Sequence, residues 1–199
     1  VDTGYFRVED GMEEEDALVF TGAINYFPNS DGIEYFIREV FPLILRQVPR
    51  AKLYVVGNAP PESVQRHASP SVVVTGYVPD VRPYVQRASV YVVPLRIGGG
   101  TRVKVLEAMS MRRPIVTTTV GCEGINVVDG ETALIADTPA SFAEATVRLL
   151  RDRSLRRTLV DRGTDLVRAQ YDWSVIGSQL EDAYTAVCQK QVVTGVGAA

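Results

Sequence analysis

Apolar residues in this chain gather in two ways. In the first they form short, nearly unbroken runs, at residues 17–22, 51–57, 71–76, 88–95, 114–119 and 132–136. Runs of this length, rich in β-branched residues and ending at Gly, Asp or loop residues, read as strands covered on both faces, as in a parallel sheet. In the second they recur every third or fourth position. Ile33, Phe36, Ile37, Val40, Leu43, Ile44 and Val48 mark one side of a helix over residues 32–48, in which Pro42 is expected to introduce a kink. Helices are also predicted over residues 81–87, with Asp80 as cap and Pro83 tolerated in the first turn, and over 141–151 and 155–170. A short helix through Gln65 follows the turn Asn58-Ala59-Pro60-Pro61, and Asp172 or Ser174 is placed to cap a closing helix. Residues 25–32 read as a loop and Asp129-Gly130 as a turn. Trp173 reads as a packing anchor, and the acidic run at 13–16 as a solvated loop, because like charges resist packing.

Strands alternate with helices along the whole chain. The fold class expected is therefore α/β: an open, mostly parallel, Rossmann-like sheet with helices on both faces. The chain divides into a linker over 1–16, one domain over 17–190 and a disordered tail over 191–199.

The stretch that carries chemistry lies between the fourth and fifth runs. Gly98, Gly99 and Gly100 follow the strand, then Thr101, then a helical segment with Val103, Leu106 and Met109 or Ser110 on one face. This order sets a helix N-terminus at the carboxyl end of a parallel sheet, where unpaired N–H groups and the positive end of the dipole suit an anion. Glycine there lets a ligand approach the backbone. Arg102 and Lys104 stand in the first turn, where a cation is disfavoured by about 0.3–1 kcal/mol unless an anion is bound. Glu107, one turn on, can accept two hydroxyl protons, as from a ribose. The plainer alternative is that the glycines only permit tight packing and that Glu107 is a solvated helix residue. Arg96, after the strand, faces either the cleft or its rim.

Composition narrows the function classes. With 199 residues, close to half of them apolar, the chain can bury the core of one ordinary domain. A net charge of −3 argues against a nucleic-acid binder. No apolar run approaches the roughly 18 residues of a membrane span, and the first residues lack the pattern of a signal peptide. Cys122 and Cys188, few and far apart, fit a reducing cytoplasm. His67 is the single histidine, and a metal site is not expected.

The stretch GGGTRVKVLEAMSMRRPIVTTTVGCEGI resembles the donor-binding signature of the retaining glycosyltransferases of GT-B fold, in the large group often called family 4. Those enzymes carry a pair of glutamates, the second inside a Glu-Ala-Met/Leu helix. Glu107-Ala108-Met109 matches the second, which in the family holds the ribose hydroxyls. The first, which faces the donor sugar, would fall at Gly99, so the chain departs from the pattern there. The opening Val1-Asp2-Thr3-Gly4-Tyr5-Phe6 resembles the family's interdomain stretch, and Tyr171-Asp172-Trp173-Ser174 its closing turn.

The resemblance implies a nucleotide-sugar-binding domain that works with an acceptor-binding domain upstream, and transfer from a UDP- or GDP-sugar to a sugar, lipid or protein, with retention and without a metal or other cofactor. The fragment alone would bind nucleotide and transfer nothing. Peripheral membrane contact is compatible with this reading. The family grips the diphosphate with an arginine and a lysine after the first strand. Here that loop, residues 22–29, holds no basic residue, and Arg102 and Lys104 are expected to take over the charge. Gly22 and Gly57 end their strands at the donor side, Tyr77 and Val78 are candidates for base contacts, and Glu123 is a candidate cleft carboxylate or else a solvated turn residue. Two rivals stand beside this reading: a nucleotide-sugar epimerase of the same architecture, and a non-catalytic nucleotide-binding module.

Overall fold

The computed structural model describes residues 1–7 and 13–194, the last six of them as backbone only. Its centre is a six-stranded sheet, every pair parallel, in the order β3-β2-β1-β4-β5-β6. The strands are β1 (Ala17–Thr21), β2 (Lys52–Val56), β3 (Val72–Gly76), β4 (Val90–Val93), β5 (Ile115–Thr117) and β6 (Leu134–Ile135). Helices cover both faces, so the inner strands cannot alternate. All of β1, β4 and β5 is buried, which is why each reads as an unbroken apolar run.

The chain order reverses between β1 and β4. β1 leads outward through β2 to β3, and the chain then returns to lay β4 on the other side of β1. The loops leaving the carboxyl ends of β1 and β4 part there and open a crevice. Hydrogen-bonded pairing across this seam is short, with Leu18 opposite Val90 and Val19 opposite Tyr91, while β1 and β2 pair over five residues.

Several boundaries differ from expectation for physical reasons. The first helix begins at Phe27, inside the predicted loop, because Pro28 sits in its first turn, where the missing N–H and fixed φ favour a helix start. It runs as α1 (Phe27–Tyr35), a π turn (Phe36–Val40) and α2 (Phe41–Gln47). The π turn precedes Pro42 directly, and Phe41 N–H reaches back to Phe36 O. The widened turn is how the helix accommodates a ring that would otherwise crowd the preceding carbonyls. The predicted apolar side is confirmed, with Ile33, Phe36, Ile37, Val40, Ile44 and Val48 all buried.

After α3 (Glu62–Gln65) comes α4 (Arg82–Arg87); Asp80, two residues before its start and not at the cap position, which Val81 takes, accepts from Arg82 N–H at 2.9 Å through Oδ1. Toward the carboxyl end, α5 (Val103–Ser110) is followed by α6 (Pro139–Arg151), α7 (Arg153–Gln170) and α8 (Trp173–Thr194). Helix α8 continues through residues 191–194, which were assigned to a tail; 195–199 lie outside the described residues.

The acidic run is a loop with Glu13 and Glu15 exposed, as expected, but two of its carboxylates have specific partners. Glu13 pairs with Arg156 at 2.6 Å and Arg113 at 3.6 Å, and accepts from Ser89 Oγ. Glu14 accepts from Tyr54 OH at 2.7 Å and Lys52 Nζ at 3.2 Å. Cations distant in sequence remove the mutual repulsion and tie this segment to the amino edge of the sheet. Trp173 is not a packing anchor: it is 65% exposed. The turn before it is held instead by Asp172, whose carboxylate accepts from Ser174 N–H and Oγ and from Thr3 N–H and Oγ1.

Candidate functional site

The carboxyl edge of the sheet carries the glycines singled out in the sequence. Gly22 directly follows β1 and Gly57 directly follows β2, and the two backbones touch. A Cβ on Gly57 would fall 1.7 Å from Gly22 O, so no side chain fits there. Facing Gly22 across the seam is α5. Its buried side consists of Val105, Leu106, Ala108, Met109 and Ser110; Val103, expected on that side, is half exposed instead. The rotation leaves Lys104 and Glu107, three residues apart and hence one above the other, on the side that faces the crevice.

Lys104 crosses to the β1 side. Its Nζ donates to Asn29 Oδ1 at 2.7 Å and lies 4.2 Å from the centre of the Phe20 ring. A Cβ at position 22 would come within 2.8 Å of that Nζ, so glycine makes the approach of the ammonium to the turn feasible. Burial lowers the Lys104 pKa to about 7; Arg102 acts in the same direction and Glu107 against it.

Glu107 lines a small enclosed space with Phe6, Thr21, Val81, Val85, Tyr91, Ala108 and Met111. Burial raises its carboxyl above the usual range, with Lys104 opposing. Beneath it, Thr21 and Tyr91 join β1 to β4 through their hydroxyls at 2.5 Å, and burial raises the Tyr91 phenol strongly. Glu107 is half-buried and among the described residues none donates to it, so its carboxylate oxygens are open to donors from a ligand or from water.

Arg102 is not a free cation at the helix start. It is only 7% exposed, and its guanidinium folds back onto the loops: Nε donates to Val120 O at 3.0 Å, Nη1 to Gly99 O at 2.9 Å, and Nη2 meets Glu123 at 3.4 Å. It therefore ties the glycine loop to the turn after β5, which is itself fastened by Thr118 Oγ1, donor to Leu95 O and acceptor from Gly121 N–H. Gly98, Gly99, Gly100 and Thr101 are exposed at the cleft mouth, and Thr101 abuts Gly124. Gly98 and Gly100 take φ of +123° and +83°, which only glycine adopts freely.

The structure thus brings Gly22, Lys104 and Glu107 to one crevice and sets Gly98–Thr101, Arg102 and Glu123 around its mouth. Tyr77 and Val78 follow β3 at the sheet edge, two strands away; Tyr77 is 73% exposed and Val78 packs partly on the core. Arg96 is a rim residue, paired with Asp31 at 2.6 Å and lying over Tyr35. The residue that sequence reading missed is Asn29. It lies 75 positions from Lys104, inside a stretch read as a loop, and only the fold joins them. No group of three or more His, Cys, Asp or Glu among the described residues is placed to hold a metal ion, and none of the described helices is long and apolar enough to cross a membrane.

Comparison with known proteins agrees with this fold. The family model of the glycosyl transferases group 1 matches residues 15–152. A capsular polysaccharide biosynthesis glycosyltransferase of Staphylococcus aureus is 27% identical over 172 residues, 82% of this chain and 45% of the relative. A phosphatidyl-myo-inositol mannosyltransferase of Mycobacterium leprae is 30% identical over 156 residues, 75% of this chain and 41% of the relative. The chain spans less than half the length of these curated relatives. Among solved structures, the C-terminal domain of a glycosyl transferase group 1 family protein from Francisella tularensis has a TM-score of 0.69 at 19% identity, over 87% of this chain and 99% of that one. HepE of Anabaena, solved in complex with UDP, has a TM-score of 0.77 at 11% identity, over 94% of this chain and 56% of that one. Likeness at these identities is one of fold, and it matches the Rossmann-like half of GT-B proteins. With the family model spanning more than half of its length, the chain belongs to the glycosyl transferases of group 1.

Proposed function

We propose that this chain is the donor-binding domain of a glycosyltransferase that moves a sugar from a nucleoside diphosphate sugar to an acceptor held by a separate domain, with retention and without a metal. The observation that carries this reading is the Lys104–Glu107 pair, one turn apart on α5 and facing the crevice between β1 and β4. Glu107 is a carboxylate without donors and suits a pair of ribose hydroxyls. Lys104 and the start of α5 suit the diphosphate beside it. As the glycosidic bond breaks, its electron pair goes to the diphosphate, and the lysine ammonium stabilises the growing charge. Arg102 contributes by holding the glycine loop in place and by its charge at the mouth, where exposed Glu123 can yield to a phosphate.

That HepE of Anabaena was solved with UDP and with UDP-glucose supports a UDP-sugar as donor; a GDP-sugar is the other candidate. The greater length of the relatives supports an acceptor domain outside this chain. Both cysteines are unpaired, in keeping with a cytoplasmic setting. Calorimetric titration with UDP and GDP, with and without EDTA, tests the reading. One nucleotide should bind, unaffected by the chelator, and the isolated chain should transfer no sugar. Binding of neither nucleotide, or loss of binding with EDTA, would overturn it.

A further inference from the structure

The loop after β1 carries no cation of its own, and the ammonium that reaches it comes from across the crevice. Its position depends on one neutral side chain. Asn29 stands in the first turn of α1 and is buried. Its Nδ2 donates to Ala23 O at 2.8 Å, which fixes the amide the right way round and turns Oδ1 toward Lys104 Nζ, 2.7 Å away. The helix that carries Asn29 is itself set closely against the chain leaving β4: a Cβ at Gly32 would fall 2.9 Å from Pro94 O. A fixed acceptor on one side of the seam therefore meets a long, flexible side chain from the other.

We propose that Asn29 is a positioning residue that aims Lys104 at the Gly22 turn, so that α5, and not the loop after β1, supplies the cation that meets the diphosphate. This rests on the reading that a diphosphate is bound in this crevice. An amide suits the task because it orients the ammonium without cancelling its charge; a carboxylate would close an ion pair. The ammonium keeps two further donors for the ligand. The charged groups acting on Lys104 are Glu107, on the same face of α5, and Arg102, at the helix start; Asn29 and Phe20, which face it from α1 and β1, are neutral. Because burial brings Lys104 to about 7, a diphosphate that arrives near neutrality draws a proton onto it.

The test is calorimetry with UDP, uridine and inorganic pyrophosphate, on the unaltered chain and on Asn29→Ala, Asn29→Asp and Lys104→Met, on both sides of neutral pH. The unaltered chain should bind UDP more tightly than uridine, with proton uptake and with an advantage that shrinks as pH rises. Asn29→Ala should lose about tenfold of that advantage while uridine affinity is kept. Asn29→Asp, which keeps the shape and a partner for Lys104 should Asn29→Ala fail to fold, should lose the advantage and the proton uptake together. A purely structural Asn29 would change the melting temperature and leave the UDP-to-uridine ratio and its pH profile alone. If Lys104→Met abolishes the advantage but both Asn29 variants retain it, the positioning role is wrong. If the unaltered chain neither prefers UDP over uridine nor binds pyrophosphate, the reading of the crevice fails, and this inference with it.

Discussion

Replacing Glu107 by Gln removes one charge and almost no volume from the floor of the crevice. The carboxylate can accept from two hydroxyls at once; the amide keeps one acceptor and turns a donor toward the other position. One charge-assisted hydrogen bond is lost, worth roughly 1.5–3 kcal/mol, or about ten- to a hundred-fold in nucleotide affinity. The empty domain responds in the opposite direction. Burial holds the Glu107 carboxyl above its ordinary value, so its ionised form is disfavoured in the native state. That penalty is absent below the carboxyl range and present above it, and the amide escapes it. Glu107→Gln should therefore melt no lower than the unaltered chain at neutral pH, and higher if the desolvation dominates. Glu107 also supports the charge on Lys104. Without it the lysine holds its proton less well, and the pH above which diphosphate binding weakens should move down. Calorimetry with nucleoside and nucleoside diphosphate, paired with thermal melts, reads all three effects. A variant that melts lower yet binds nucleotide normally would make Glu107 an ordinary structural residue and refute the reasoning.

Three further outcomes are expected. Gly57→Ala places a Cβ 1.7 Å from Gly22 O, a collision of backbone with backbone, and should cost about 3 kcal/mol or more, seen as loss of a cooperative melt; a normal melt would mean that the β1 and β2 ends are loosely held. Lys104 has a native pKa of about 7 against an unfolded value of about 10.4, so between these values the unfolded chain binds more protons and stability rises with pH. Lys104→Met should then be the more stable protein near neutrality, by a margin that narrows as pH climbs, and a margin constant across that window would contradict the burial of the ammonium. Trp173, exposed at the start of α8, should emit as a solvated indole and shift little when the isolated chain is unfolded in urea; a large blue-shifted native signal would restore it to a packed role.

The sheet was legible in the sequence because burial on both faces leaves no exposed position within β1, β4 or β5, and hence few polar residues. Helix boundaries were less so. Pro28 signals a loop and a helix start equally well, and nothing local shows that Pro42 will be met by a π turn. Of the site, Lys104 and Glu107 were legible from their spacing on α5, since three residues make one helical turn wherever the helix goes. The contacts of Arg102 were not legible, because its neighbours in sequence argue for a free cation, while the carbonyls it donates to, Gly99 O and Val120 O, are brought to it by loop geometry. The partners of the acidic run, Lys52, Arg113 and Arg156, likewise come from three distant stretches of the chain. Charge partnership over long sequence separation is a property of the fold, and no local pattern encodes it.

The short pairing at the seam has a consequence for how the domain yields. β1 with its outward neighbours and β4 with its own form two half-sheets, laced along the seam by two ladder pairs, the Ser89 N–H to Ala17 O bond, the Thr21–Tyr91 hydroxyl contact and the Lys104–Asn29 bond. Under mild denaturant the halves should loosen from one another before either comes apart internally, and the amide proton of Ser89, bonded to Ala17 O across the seam, should exchange ahead of those between β1 and β2. A ligand lying over the seam, gripped by Gly22 and Asn29 on one side and by α5 on the other, would act as a splint. Its effect on stability would then appear first as slower exchange along this one line and only later in the melting of the whole.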